Sequence, residues 1–186
     1  PFKLGREANR FNCDLSFTAI KKALESGDPD TFLGTYEYYP EEGKYHLDGH
    51  RKCNVRLWPD ETIERQGVCP VCKKPLTLGV LYRVEELADR PPGAGPQQRH
   101  PYASMIPLSD ILSELLQKGP LTKTVQRTYH RLLDEFGPEF DILHNHDPET
   151  LSKGELPFLG EAIRRMRRKE ITVNPGYDGE FGKIKI

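Results

Sequence analysis

The 186 residues are 36% apolar and 30% charged, enough for one domain or two small ones with cores of their own. Twenty-seven Lys and Arg against twenty-eight Asp and Glu leave a net charge of −1, which excludes general basicity as a route to nucleic acid, so any such contact has to be local. No stretch approaches the roughly 18 uninterrupted apolar residues of a membrane span, and the start lacks the order of a signal peptide; a cytoplasmic chain with no membrane partner is expected.

In chain order, Ser16 is placed to cap a helix whose Phe17, Ile20 and Leu24 fall at helical spacing, with Gly27 to end it. Residues 32 to 47 are rich in Tyr, Phe and Thr, and Val55, Leu57 and Leu76 to Val84 also favour strands, so a small sheet around the cysteines is expected over about 32 to 85. Pro91-Pro92-Gly93-Ala94-Gly95-Pro96 breaks both periodicities and predicts a linker or loop. Beyond it, Ser109 or Asp110 opens a helix through Ile111, Leu112, Leu115 and Leu116 that Gly119-Pro120 stops. A second helix from about Thr122 places Val125, Tyr129, Leu132, Leu133 and Phe136 on one face before Gly137, making a helical hairpin with the first. Phe140 to Asp147 reads as a strand end followed by the cap Asp147. A third helix is expected over about 157 to 169, then Ile171–Val173 paired with Phe181–Ile186 across Pro175-Gly176-Tyr177-Asp178-Gly179. Pro1 in place of Met, and the alternating Lys183-Ile184-Lys185-Ile186 at the end, suggest part of a longer polypeptide.

Four cysteines in a chain of this kind favour metal binding over disulfides. His50-Arg51-Lys52-Cys53 precedes Cys69-Pro70-Val71-Cys72 by fifteen residues, and this H-x2-C-x15-C-x2-C spacing suits a zinc ribbon. Two residues between ligands let both turn inward on one tight knuckle, and two knuckles complete a tetrahedral site with no open position, so the metal is structural. The competing reading is a set of free thiols with His50 at the surface. His46 is the alternative to His50, which the two-residue gap to Cys53 favours. Cys13 reads as a small buried hydrophobe.

Arg164-Arg165-Met166-Arg167-Arg168-Lys169 places five cations in six positions, suited to phosphate contacts or to a solvated helix end. Lys3, Arg6 and Arg10 form a second cluster. His144 and His146 stand one residue apart, as in some metal-dependent hydrolases, but a metal centre there needs further carboxylate or histidine ligands. Gly176, Gly179, Gly182 and Lys183 miss the spacing of a phosphate loop and read as turn chemistry.

Phe32-Leu33-Gly34-Thr35, the run from Tyr39-Pro40-Glu41-Glu42-Gly43 through Lys44-Tyr45-His46-Leu47-Asp48-Gly49-His50-Arg51-Lys52-Cys53, and Gly79-Val80-Leu81-Tyr82-Arg83-Val84-Glu85-Glu86-Leu87-Ala88-Asp89-Arg90-Pro91 resemble endonuclease Q. Lys3-Leu4-Gly5-Arg6-Glu7 and Asn174-Pro175-Gly176-Tyr177-Asp178-Gly179-Glu180-Phe181-Gly182-Lys183 extend the resemblance over nearly the whole chain. It implies an α+β fold, with a small zinc-ribbon-like β module followed by a mainly helical region and a terminal β-hairpin. It further implies residues 1–31 as the end of a PHP-like metallohydrolase domain, 32–90 as the zinc-binding module, 91–104 as a linker or loop and 105–186 as the helical region with the hairpin.

The family nicks DNA 5′ to deaminated bases and abasic sites, using divalent metals held in the PHP domain. The last of those ligands lies just before the position matching Lys3-Leu4-Gly5-Arg6-Glu7, so this chain alone is expected to be inactive and to have no catalytic residues. Its implied partners are DNA containing deaminated bases and the upstream PHP domain; its implied cofactor is one structural zinc. DNA contacts are expected at Lys3, Arg6, Arg51, Lys52, Arg164, Arg165, Arg167 and Arg168, with Tyr45 and Trp58 as aromatics within reach. The alternative is a noncatalytic DNA-binding or interaction module associated with a UvrD-type helicase.

Overall fold

The hydroxyl of Ser16 accepts from the Ala19 amide at 3.2 Å, satisfying one of the donors a helix start leaves over, and Gly27 closes the same helix in the left-handed region at φ 62°. The computed structural model containing this helix describes residues 7–91, 93–95 and 100–186. In chain order the described residues form strand β1 (Ala8–Phe11), helix α1 (Phe17–Ser26), strands β2 (Phe32–Glu37), β3 (Asp48–His50) and β4 (Val55–Leu57), helices α2 (Pro59–Glu64) and α3 (Val80–Leu87), strand β5 (Tyr102–Ser104), helices α4 (Leu108–Leu116), α5 (Lys123–Phe136), α6 (Pro148–Leu151) and α7 (Leu159–Arg167), and strands β6 (Thr172–Asn174) and β7 (Lys183–Lys185). The class is α+β, as the sequence predicts. The chain divides into two units, the first drawn from residues 1–38, 100–171 and 186 and the second from 39–99 and 172–185.

In the first unit β1 pairs antiparallel with β2, and β2 parallel with β5. Gly34 permits that second pairing: its φ is 113°, and a Cβ there would lie 2.0 Å from the Pro101 carbonyl oxygen. The helical core is built from Leu108, Ile111 and Leu112 of α4, Val125, Tyr129 and Leu132 of α5, and Leu159, Ile163 and Met166 of α7, all buried, with Ile142 and Leu143 beneath them. Glu139 ties this core together, since its carboxylate accepts from the Leu108 amide at the start of α4 and from the Tyr129 hydroxyl, each at 2.7 Å. Removing that acceptor with Glu139→Ala strands the buried phenol and frays α4, and is expected to cost about 1–3 kcal/mol in urea denaturation. Asp147 caps α6, as its sequence position predicts.

The second unit carries the β3–β4 hairpin, in register Asp48↔Leu57, Gly49↔Arg56 and His50↔Val55, and the β6–β7 hairpin, with Val173 opposite Ile184. Several expectations need correction. The stretch from Leu76 to Val84 is not a strand: Gly49 and Thr77 exchange two backbone hydrogen bonds at 2.8 and 2.9 Å, and α3 then starts at Val80. Val80, Leu81, Val84 and Leu87 recur at helical intervals, which outweighs the strand preference of valine. The sheet expected over 32 to 85 is therefore split, with β2 in the first unit's sheet. Asp141–Asn145 forms a π turn instead of a strand end. Helix α4 stops at Gln117, φ 52°, two residues before Gly119. Within the stretch expected to be a linker, β5 is an ordered strand, and β6–β7 groups with the cysteine-bearing unit instead of with the helices. The β2–β5 pairing and the grouping of β6–β7 with the cysteine-bearing unit join residues far apart in sequence, which is why local composition does not reveal them.

Candidate metal centre

The two knuckles are built from short-range backbone chemistry. At the first, β3 ends at His50, one 3₁₀ turn covers Arg51–Cys53, and Asn54 reverses the chain into β4 in the left-handed region at φ 51°, a conformation asparagine tolerates. At the second, the Cys69 amide donates to Lys74 O at 2.8 Å and the Lys73 amide to Cys69 O at 3.0 Å, with Lys73 itself at φ 61°. This turn projects Cys69 and Cys72 to one side.

The ligand atoms of His50, Cys53, Cys69 and Cys72 all lie within 4.8 Å of one another, and Cys72 Sγ stands 3.3 Å from His50 Nδ1. A tetrahedral ion with Zn–S bonds of about 2.3 Å needs sulfurs roughly 3.8 Å apart, so the four residues fit such an ion with only small adjustments. All four cysteines are free thiols. Cys69 is fully buried among Val55, Leu57 and Leu76, with Cys53 and Cys72 packed alongside. Among the described residues this is the one group of three or more His, Cys, Asp or Glu able to hold a metal. His46 stands outside it, and half-buried Cys13 lies in the other unit.

Burial raises the Cys69 pKa, but donation from the amides of Cys72 and Val71 and from His50 outweighs it and brings this thiol down to about 6. Burial and the neighbouring Cys72 and Cys69 push Cys53 up to about 11. Three sulfurs this close cannot all ionise against one another; a divalent cation among them offsets the repulsion and lets all three bind as thiolates.

The turn between β6 and β7 holds the first knuckle in place. The Asp178 carboxylate accepts from the Arg51 amide and from the Thr77 hydroxyl, both at 2.6 Å. Burial raises its pKa, but these two donors together with His50 and Arg51 lower it below the usual carboxylate range overall. Tyr177 donates to Asn54 Oδ1 at 3.1 Å, and its ring closes over Gly49, where a Cβ would come within 2.4 Å of it. Sequence alone predicts only turn chemistry for this segment; nothing local marks Asp178 as a support for residues more than a hundred positions earlier.

The other expected residues are dispersed. Arg51 and Lys52 are exposed on the first knuckle, and Tyr45 and Trp58 are 44% and 52% exposed in the same unit. In the first unit Arg164 and Arg165 pair with Glu161, and Arg168 with Glu170. Arg167 turns inward and donates to the carbonyls of Leu143 and Ile142 at 2.7 and 3.3 Å. Lys3 and Arg6 lie outside the described residues. Among the described residues His144 and His146 do not assemble a metal site: the first packs against Tyr36, ring centroids 4.3 Å apart with the planes tilted, and the second meets the Phe136 carbonyl at 2.7 Å.

Residues 107–170 match the family described as the MJ0043 C-terminal domain. The chain is 36% identical over its full length to the Methanocaldococcus jannaschii protein MJ0043, covering 24% of it. It is 28% identical to the Bacillus subtilis protein YqxK, covering 98% of the chain and 43% of that protein. Among solved structures, the lesion-specific endonuclease PfuEndoQ of Pyrococcus furiosus superposes on all of the chain with TM-score 0.87 and 32% identity, 46% of that protein being covered. Endonuclease Q in complex with a 27-mer duplex carrying an abasic lesion at the active site does so with TM-score 0.82, again at 32% identity and with 47% covered. The chain spans less than half the length of these relatives and solved proteins, and over its own whole length it is endonuclease Q-like.

Proposed function

We propose that this chain is the zinc-bearing, DNA-holding part of an endonuclease Q-like repair enzyme that nicks DNA 5′ to deaminated bases or abasic sites. The observation that carries the reading is the full-length superposition on an endonuclease Q bound to an abasic duplex. The convergent His50, Cys53, Cys69 and Cys72 support it from within the chain. Four protein ligands leave a zinc ion no open coordination position, so the ion stabilises the fold and takes no part in hydrolysis. His50 and Cys53 hold it from the first knuckle, Cys69 and Cys72 from the second, while Asp178 fixes the backbone between the first two.

Strand cleavage belongs to divalent ions of a PHP domain upstream in the same polypeptide, of which residues 1–31 are the end; residues 39–90 form the body of the zinc module and the helical region follows. Arg51 and Lys52, exposed beside the first knuckle, and the basic end of α7 supply local positive charge on a chain with no net excess of it.

Binding of a fluorescent 27-mer duplex with a single abasic site, followed by anisotropy at several salt concentrations, tests the reading. Salt-dependent binding without strand cleavage is expected when Mg²⁺ or Mn²⁺ is added. Absence of binding at low salt removes the DNA-holding role, and metal-dependent cleavage removes the assignment of catalysis to an upstream domain. A separate expectation concerns Asp178: Asp178→Ala leaves the four ligands intact but frees the first knuckle, and is predicted to weaken zinc retention about 10- to 100-fold in competition with a chelator.

A further inference from the structure

The basic run at the end of α7 separates into two groups once its partners are seen. Arg164, Arg165 and Arg168 are tied to glutamates on the surface, whereas among the described residues Arg167 and Lys169 form no ion pair. These two line a cleft of about 230 Å³ together with Tyr102, Ala103, Ser104, His144 and Met166. That is smaller than the roughly 300–1,000 Å³ of pockets that enclose whole small molecules, and suits a single group.

The cleft is cationic, of mixed polar and apolar lining, and incompletely satisfied. Lys169 occupies the position just past α7 at φ 58°, where glycine or asparagine is the usual residue, and lays its ammonium 4.4 Å from the centroid of the Tyr102 ring and 3.4 Å from its hydroxyl. Tyr102 is 57% exposed. His144 Nε2 is buried with no hydrogen-bond partner, a state that costs about 1–3 kcal/mol unless a ligand completes it. Arg10, on β1, stands over the Tyr36 ring that packs against His144. Burial first, then the charges of Arg167 and Arg10, bring the His144 pKa down to about 4. The carboxylates nearby leave the cations unpaired: Glu37 accepts from the Thr35 hydroxyl, and Asp147 reaches Arg167 only through space.

We infer that this cleft binds one phosphate of a DNA backbone, with Lys169 and Arg167 supplying charge, Tyr102 and Ser104 on the rim, and His144 completing its hydrogen bonding on the bound oxyanion. The inference rests on the DNA-holding reading above and adds a definite seat for one phosphate that the run of arginines alone does not indicate. An anion here offsets the charges of Arg167 and Arg10, which add to burial in holding His144 neutral, so its binding and the protonation of His144 favour each other.

The test is NMR of the His144 ring in the full chain, titrated separately with inorganic phosphate and with a short DNA duplex, beside duplex affinities of Lys169→Ala and of Arg131→Ala, a control on α5 whose guanidinium pairs with Glu155. Both titrants are expected to shift the His144 resonances and raise its pKa. Lys169→Ala is expected to weaken duplex binding about three- to tenfold and to flatten the salt slope by roughly one, whereas Arg131→Ala leaves both nearly unchanged. A response to phosphate but not to bound duplex overturns the DNA assignment and leaves a site for free anions. No response to either titrant overturns the site itself. If the chain binds no duplex at all, the DNA-holding reading and the DNA assignment fall together, and the phosphate titration still decides whether the cleft takes anions.

Discussion

Cys69→Ser is expected to release one zinc per chain and to unfold the second unit while the helical core of the first remains. Among the described residues, the apolar side chains buried in that second unit are Tyr39, Leu47, Val55, Leu57, Cys69, Leu76 and Tyr177. At about 1.5–3 kcal/mol for a fully buried aliphatic side chain, so few cannot offset the conformational entropy of ordering the segments around them, at about 1–2 kcal/mol per residue. A structural zinc contributes about 10–16 kcal/mol of apparent binding free energy in small modules, of the same order as the burial of those few side chains. Elemental analysis is expected to find one zinc in the parent chain and none in the variant. Limited proteolysis is expected to cut first within residues 39–91, with the helical circular dichroism signal of α4, α5 and α7 largely kept. Full zinc content together with an unchanged digestion pattern in Cys69→Ser would rule out the metal centre.

Gly34→Ala is expected to lose about 3 kcal/mol or more of first-unit stability. Two costs combine. A side chain at φ 113° is forced into a backbone region that only glycine enters freely, and its Cβ would meet the Pro101 carbonyl oxygen at 2.0 Å, where only a shift of β5 away from β2 relieves the overlap. Gly137→Ala serves as the control, because Gly137 has φ 88° and nothing within 4 Å of its would-be Cβ. The control carries the conformational cost alone, about 1–3 kcal/mol. Urea denaturation of the two variants separates the two costs; equal losses would mean that the β2–β5 approach does not constrain position 34.

Much of the chain is legible from its residues alone. Ser16 and Gly27 bracket α1, Thr122 and Gly137 bracket α5, and Asp147 caps α6, because capping is a contest among a few neighbouring atoms that the local sequence states outright. The hairpin of β6 and β7 follows from alternation on either side of a turn-rich segment. The grouping of His50 and Cys53 with Cys69 and Cys72 follows from ligand spacing, since two residues between ligands close a knuckle wherever it occurs, and the resemblance to endonuclease Q is carried by runs of residue identity.

Other features lie beyond local reading. Arg164, Arg165, Arg167 and Arg168 are chemically alike in the sequence, yet three meet glutamates and one turns inward to carbonyl oxygens, a sorting set by which face of α7 each occupies and by the chain that passes there. Val80 to Leu87 carries both strand-favouring residues and helical spacing, and the helix prevails. The parallel pairing of β5 with β2, the reach of Asp178 back to Arg51 and Thr77, and the orphaned nitrogen of His144 beside Lys169 all join residues far apart in sequence. Local segments and the ligands of the candidate metal centre are thus written in the order of residues, because backbone caps, turns and knuckles are settled within a few positions. Which segments share a unit, and which charges stay unpaired, emerges only in the folded chain, because both depend on burial and on partners brought together from distant parts of the sequence.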